Sequence, residues 1–225
     1  KSNLLKTFLP KLYLASLLLV LFQFSFSQNV KLKTGDILFQ SMNCGPLCEA
    51  INEVTEGYQG KDFSHLGIVY IKNDSVFVIE AAGKAVKITP YEIFKTYTTE
   101  EMFVGRLKRK YQKYIPVAIT FSLQQVGVPY DDAYLYNNGK YYCSELIYDA
   151  FLFAYKKPLF DLYPMTFKSP KSNAYFDVWA DYYEKLKMEI PEGQLGCNPG
   201  GISTSDKLNI IGTIEWFLFH KVFQS

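Results

Sequence analysis

Histidine is nearly absent from this 225-residue chain: His65 and His220 are the only two, and cysteine is limited to Cys44, Cys48, Cys143 and Cys197. So few imidazoles leave little material for a zinc site, which gathers four N or S ligands, and no metal ligand set is expected. Proline (10) and glycine (14) are too sparse and scattered for a low-complexity linker, and no fixed-period repeat runs through the chain. Basic clusters are also missing. Beyond the run Arg106-Leu107-Lys108-Arg109-Lys110, read as a strand end or a solvated helix entry, nothing offers the electrostatic footprint of a nucleic-acid partner. Apolar material is plentiful: 48% hydrophobic and 17% aromatic residues exclude a disordered or fibrous chain and supply one substantial core.

Residues 1–27 read as a secretory signal. Lys1, Lys6 and Lys11 precede an apolar run from Leu12 to Phe26, and Ser25-Phe26-Ser27 offers small residues where a signal peptidase cuts. That run is shorter than the ~20 residues that cross a bilayer, so no transmembrane span is expected in the mature form. Without residues 1–27 the balance is 21 basic against 22 acidic side chains. The expectation is an exported protein, periplasmic or extracellular, with one domain over 28–225, a core over about 34–155 and a C-terminal extension over about 156–225. Export lets disulfides persist. Cys44 and Cys48, separated by Gly45-Pro46-Leu47, are spaced to bridge across a turn and equally to remain two free thiols.

Along the mature chain, Ile37-Leu38-Phe39 leaves the Gly35-Asp36 turn as a first strand, and Cys44 to Tyr58 carries Leu47, Ile51 and Val54 at helical spacing. Phe63–Ile71 and Val76–Ala82 flank Lys72-Asn73-Asp74-Ser75, a turn-forming tetrad, and read as a hairpin. Thr89 as N-cap and Pro90 as first residue suggest a helix through Phe94. Phe103–Leu107 reads as a strand. A helix is expected from about Tyr114 to Val126, stopped by Gly127 and Pro129. Leu146, Ile147, Ala150, Phe151 and Ala154 have the spacing of a buried helical stripe that begins at Cys143. Another helix is expected near Ala174–Leu186, before a turn-rich stretch from Pro191 to Gly201.

A hairpin centred on Asn73-Asp74 sets Ile71 opposite Val76, Gly67 opposite Glu80 and His65 opposite Ala82, so His65 and Glu80 become diagonal neighbours on one face. A one-residue slip would separate them. Glu80 is a carboxylate in an otherwise apolar row with Val76 and Val78, and an unpartnered buried acid is costly. Pairing it with His65 orients the ring as in a nucleophile–base–acid triad. Cys143 is the matching nucleophile, since a thiol at a helix N-terminus beside an imidazole is favoured as thiolate, and its own N–H can serve an oxyanion. The plainer alternatives are a surface Glu, a satisfied core His and an inert buried Cys.

Gly35-Asp36-Ile37-Leu38-Phe39-Gln40, Phe63-Ser64-His65-Leu66-Gly67-Ile68-Val69, Val78-Ile79-Glu80-Ala81 and Tyr142-Cys143-Ser144-Glu145-Leu146, in that order, resemble the YiiX/YaeF-type permuted papain-like amidases of the NlpC/P60 superfamily. The likeness spans about 34–155. In the unpermuted enzymes the Cys helix comes first, whereas here His65 and Glu80 precede Cys143, an order shared with the lecithin:retinol acyltransferase-like enzymes. The resemblance implies an α+β, circularly permuted papain-like fold, an antiparallel sheet packed on helices. It implies Cys143 as nucleophile, His65 as base and acid, Glu80 as orienter, and Tyr130 at the oxyanion and acyl subsite. Gln40, Ser64 and Tyr142, set within the same motifs, become substrate-binding candidates. Glu145 reads first as an acid supporting the helix dipole. Cys44–Cys48 and Gly196–Gly201 lie outside the family pattern, as groove linings or stapled loops.

The implied activity is hydrolysis of an amide through a thioester acyl-enzyme, without metal or organic cofactor, on a cell-envelope peptide or amidated small molecule. A lipid acyl hydrolase or acyltransferase is the second reading, supported by the aromatics Phe160, Tyr163 and Phe167, taken as exposed. A non-catalytic envelope binding domain is the third. A polar groove with charged residues favours peptides; a long apolar tunnel favours acyl chains.

Overall fold

β-branched and aromatic residues dominate the stretches that become the central strands, and their pairing fixes everything around the site. The computed structural model describes residues 30–214; the secretory segment expected at 1–27, and His220, lie outside the described residues. Strand β1 (Ile37–Gln40) is entirely buried. Helix α1 (Pro46–Val54) follows, with Pro46 in its first turn. Cys44 and Cys48 are bonded as a disulfide across that turn, with Cα atoms 5.4 Å apart.

Strands β2 (His65–Lys72) and β3 (Ser75–Ala82) form the expected hairpin, Ile71 opposite Val76 and Ile68 opposite Ile79. Its turn residues Asn73 and Asp74 have φ of 49° and 60°, the left-handed conformation that a tight two-residue hairpin needs and that Asn and Asp tolerate. A second tight turn at Gly83 (φ 68°) leads into β4 (Ala85–Pro90), which pairs Glu80 with Lys87 and Val78 with Thr89. The helix expected to start at Thr89-Pro90 is corrected here. Thr89 is a strand residue whose hydroxyl faces Glu80, Pro90 is the cap, and only the single turn α2 (Tyr91–Phe94) follows.

Strand β5 (Met102–Leu107) pairs with β1. Arg106 clamps Asp36 with Nε and Nη2 each 2.7 Å from a carboxylate oxygen, tying β5 to the turn that launches β1. Helix α3 (Ile115–Gln124) is slightly shorter than expected and ends before Gly127, whose φ is 94°. Helix α4 (Cys143–Tyr155) buries Leu146, Ile147, Ala150 and Phe151 against β2, β3 and α3. Each of the larger of these side chains contributes roughly 1.5–3 kcal/mol by leaving water.

Beyond α4 come β6 (Tyr163–Pro164), α5 (Asp177–Leu186), β7 (Leu195–Gly196), α6 (Pro199–Ser203) and β8 (Leu208–Ile214). β6 and β7 form a separate two-stranded ribbon, whereas β8 completes the antiparallel main sheet, ordered β4-β3-β2-β1-β5-β8. The sheet therefore extends past the span of 34–155 expected to hold the core, and the C-terminal extension contributes a strand to it. Periodicity hid β8 because Leu208–Ile214 is an edge strand with an apolar run rather than clean alternation. The result is an α+β fold with an antiparallel sheet packed on helices.

Candidate active site

Cys143 is the first residue of α4, entered from Tyr142 in an extended conformation (φ −91°, ψ 169°). The leading N–H groups of a helix have no intrahelical acceptor, so backbone donors are available at the end of α4 where Cys143 stands. The buried His65 imidazole is hydrogen-bonded to the Glu80 carboxylate and interacts with Cys143. His65 Nε2 lies 2.5 Å from Glu80 Oε2, which leaves the other ring nitrogen for sulfur. Burial alone would push the imidazole pKa down; its interactions with Cys143 and with the Glu80 carboxylate outweigh it and raise the value to about 9. The ring is thus charged at neutral pH.

Glu80 is fully buried and held from several sides. Its Oε1 accepts from Thr89 Oγ1 at 2.5 Å and from Tyr97 Oη at 3.2 Å, and Lys87 Nζ stands 3.7 Å away. Lys87 also donates to Tyr97 Oη at 3.1 Å. Burial would raise the carboxyl pKa, but His65, Thr89 and Lys87 hold it below the usual range, so Glu80 stays ionised. Phe94 and Tyr97 wall the imidazole, with ring centroids 5.6 and 6.2 Å from it. Thr89, Tyr97 and Lys87 escaped the sequence reading, although Gly83 as a hairpin turn would have set Thr89 and Lys87 on the Glu80 face.

Beside Cys143 opens a cleft of about 210 Å³ that Ser64, Tyr130 and Tyr142 help to line. Tyr130 Oη lies 3.4 Å from Tyr134 Oη, and burial, with the neighbouring Tyr134 and Cys143, pushes its phenol well above the ordinary value, so it stays neutral. Tyr142 Oη accepts the Cys197 N–H at 3.2 Å, while Ser144 Oγ donates to the Cys197 carbonyl at 2.8 Å. Both neighbours of Cys143 therefore grip the C-terminal segment. Cys197 itself is a buried free thiol raised strongly by burial.

Three expectations are corrected. Gln40 does not line the cleft: it is fully buried opposite His65 in the β1–β2 ladder, and its side-chain amide has no partner among the described residues. Glu145 does stand in the first turn of α4, but not as the ionised acid that would support the helix dipole. It is fully buried, its Oε1 accepts the Asn137 N–H at 2.7 Å, and burial together with nearby Asp149 and Asp131 pushes its carboxyl up to about 8. Phe160 and Phe167 are not exposed aromatics but 1% and 4% exposed, because both pack into apolar clusters. Among the described residues no group of three or more His, Cys, Asp and Glu is arranged to hold a metal ion.

Residues 31–212 match the model of the permuted papain-like amidase enzymes, the YaeF/YiiX or C92 family. The chain belongs to that family. Its members are papain-like amidases, so at the coarse level this is a cysteine hydrolase fold. Among curated proteins it is 27% identical over 201 residues to the uncharacterized protein YiiX of Escherichia coli K12, covering 83% of this chain and 89% of that one. Among solved structures it is similar to YiiX of Escherichia coli O157:H7, described as a metalloprotein, with TM-score 0.63 and 24% identity over 81% of this chain and 96% of that one. That likeness speaks to the fold.

Proposed function

We propose that the protein is an exported cysteine hydrolase that cleaves an amide bond through Cys143, His65 and Glu80. The observation that carries this reading is a single buried imidazole hydrogen-bonded to a buried, ionised carboxylate and interacting with a thiol that opens a helix. With the proton already held on His65, the Cys143 sulfur attacks the amide carbonyl carbon. The Cys143 backbone N–H and the neutral Tyr130 hydroxyl stabilise the tetrahedral oxyanion. Collapse breaks the C–N bond while His65 hands its proton to the departing amine, leaving a thioester. Water, deprotonated by His65, then attacks the thioester carbonyl; the acid departs and the thiol is restored. Glu80 fixes the ring and balances its charge throughout.

The signal-like residues 1–27 support export and hence a cell-envelope amide as substrate. The direct test is Cys143→Ala. It should keep the circular dichroism spectrum and thermal transition while lowering amide turnover on the order of 10⁴-fold or more. In parallel, alkylation of Cys143 by iodoacetamide should slow in His65→Ala. A Cys143→Ala protein that retains turnover sinks the mechanism, and a Cys143 that reacts no faster than an ordinary thiol turns the reading toward a binding domain.

A further inference from the structure

The two faces of the main sheet are covered unequally. Ile68 and Ile79 belong to the core shared with α3 and α4, whereas Leu38, Val69, Val78, Met102 and Val104, pointing the other way along the same strands, form a second apolar layer. Among the described residues the helical cover of that layer is the single turn α2, which contributes Phe94. Above it runs a groove of about 500 Å³ lined by Val30, Leu32, Ile71, Val76, Tyr91 and Ile214, all only partly buried. Contiguous apolar surface left in water marks a place where something docks.

Connectivity points to the occupant. Val30 and Ile214 both line the groove, and Val30 rests on β8 so closely that a Cβ on Gly212 would come 2.7 Å from its Cγ2. Two stretches of chain therefore adjoin the groove, 1–29 and 215–225. The first carries the segment read as a secretory signal, which is lost on export. The second runs Glu215-Trp216-Phe217-Leu218-Phe219-His220-Lys221-Val222-Phe223-Gln224-Ser225, six large apolar side chains in eleven residues. Tethered at the rim, it meets the groove at high effective concentration.

Charge and reach agree with this occupant. Lys31 and Asp74, both exposed, are the charged residues of the groove. Lys31 follows Val30 beside β8, and Asp74 sits in the β2–β3 turn. In the order β3-β2-β1-β5-β8, at ~4.8 Å per strand, that turn stands about 17 Å from β8. Glu215 leaves β8 directly, and the chain from it to Lys221 extends roughly 20 Å. An acid is thus offered to Lys31 and a base to Asp74, with Trp216–Phe219 between them.

We propose that residues 215–221 fold back across this face of the sheet, Trp216–Phe219 filling the groove, Glu215 beside Lys31 and Lys221 beside Asp74. The docked segment holds Val30–Leu32 against β8 and closes the apolar layer on the side away from α4, leaving the cleft at Cys143 open.

The test uses the whole chain, whose two tryptophans are Trp179 and Trp216. In Trp179→Phe, acrylamide quenching of fluorescence reads Trp216 alone; if that variant does not fold, the difference between the unaltered protein and Trp216→Phe gives the same quantity. Docking that leaves about a tenth of the molecules open should make quenching on the order of tenfold weaker than in a synthetic peptide of residues 215–225. Val76→Lys, in the groove, should return it to the peptide's level, with folding checked by thermal melting. Independently, glutathione disulfide should join the introduced thiols of Asp74→Cys/Lys221→Cys within one chain, read by mass spectrometry, and leave Lys140→Cys/Lys221→Cys, whose first thiol lies on the α4 side, unjoined. Peptide-like quenching in the unaltered groove overturns the proposal, as does protection that a folded Val76→Lys does not relieve or equal joining of both cysteine pairs. A bond between two chains hands the groove to a second copy, and protection that appears only with phosphatidylcholine–phosphatidylglycerol vesicles hands the segment to a lipid surface; either result overturns it too.

Discussion

At the residue scale, Thr89, Tyr97 and Lys87 hold the Glu80 carboxylate that holds the His65 ring, a relay running from a half-exposed ammonium to the sulfur. Because the ring keeps its proton up to about 9, kcat/KM should fall on an alkaline limb near that pH as the imidazolium is lost. Thr89→Val and Tyr97→Phe weaken the carboxylate's hold on the ring and should pull that limb down by roughly one unit, read from pH–rate profiles. An unmoved limb in both variants removes the relay. Stability follows the same sign. A group with a raised folded pKa favours the fold fully below its ordinary value, and that contribution is lost as pH climbs through the folded one. For His65 the window runs from 6.5 to about 9, and for Glu145 from 4.5 to about 8. Thermal midpoints should therefore decline over these ranges, and Glu145→Gln should flatten the Glu145 share. An equally steep decline in that variant contradicts the assignment.

At the element scale, the β2–β3 hairpin was readable because Asn73-Asp74 fits a turn with both centres left-handed, and its register delivered His65 to Glu80. The helix beginning at Cys143 was equally readable from its buried stripe. What stayed hidden depended on tertiary contact. The polar ring on Glu80 needs β4 paired across a second turn, and a threonine before a proline mimics a helix start so well that Thr89 was misplaced. Gln40 and Glu145 sit on motif positions, but burial rather than residue type decides what they touch. Gly67 illustrates how narrow the tolerance is, since a Cβ there would collide with Val78 Cγ1 and come within 3.3 Å of Glu80 Cβ. Gly67→Ala should cost about 1–3 kcal/mol in chemical denaturation and slow Cys143 alkylation by shifting Glu80. Wild-type alkylation in that variant would show that the hairpin absorbs the strain without moving the acid.

At the scale of the whole molecule, four cysteines divide into a bonded pair around the start of α1 and two buried thiols, Cys143 and Cys197. Closing so short a loop accounts for about 2 kcal/mol in the chain-entropy picture. The Cys44→Ser/Cys48→Ser variant should lose about that much stability and keep most of its amide turnover, since the bridge lies at the end of α1 away from Ile51 and Val54 of the cleft. Loss of turnover at intact fold would instead make the bridge part of the site. The bond-breaking groups come from residues 65–143, whereas Met165, Phe167, Trp179 and Cys197 close the far wall from chain that follows. One wall of the cavity thus sits on chain that carries none of the reacting atoms, so substitutions beyond residue 160 can reshape the space beside the sulfur without touching sulfur, ring or acid.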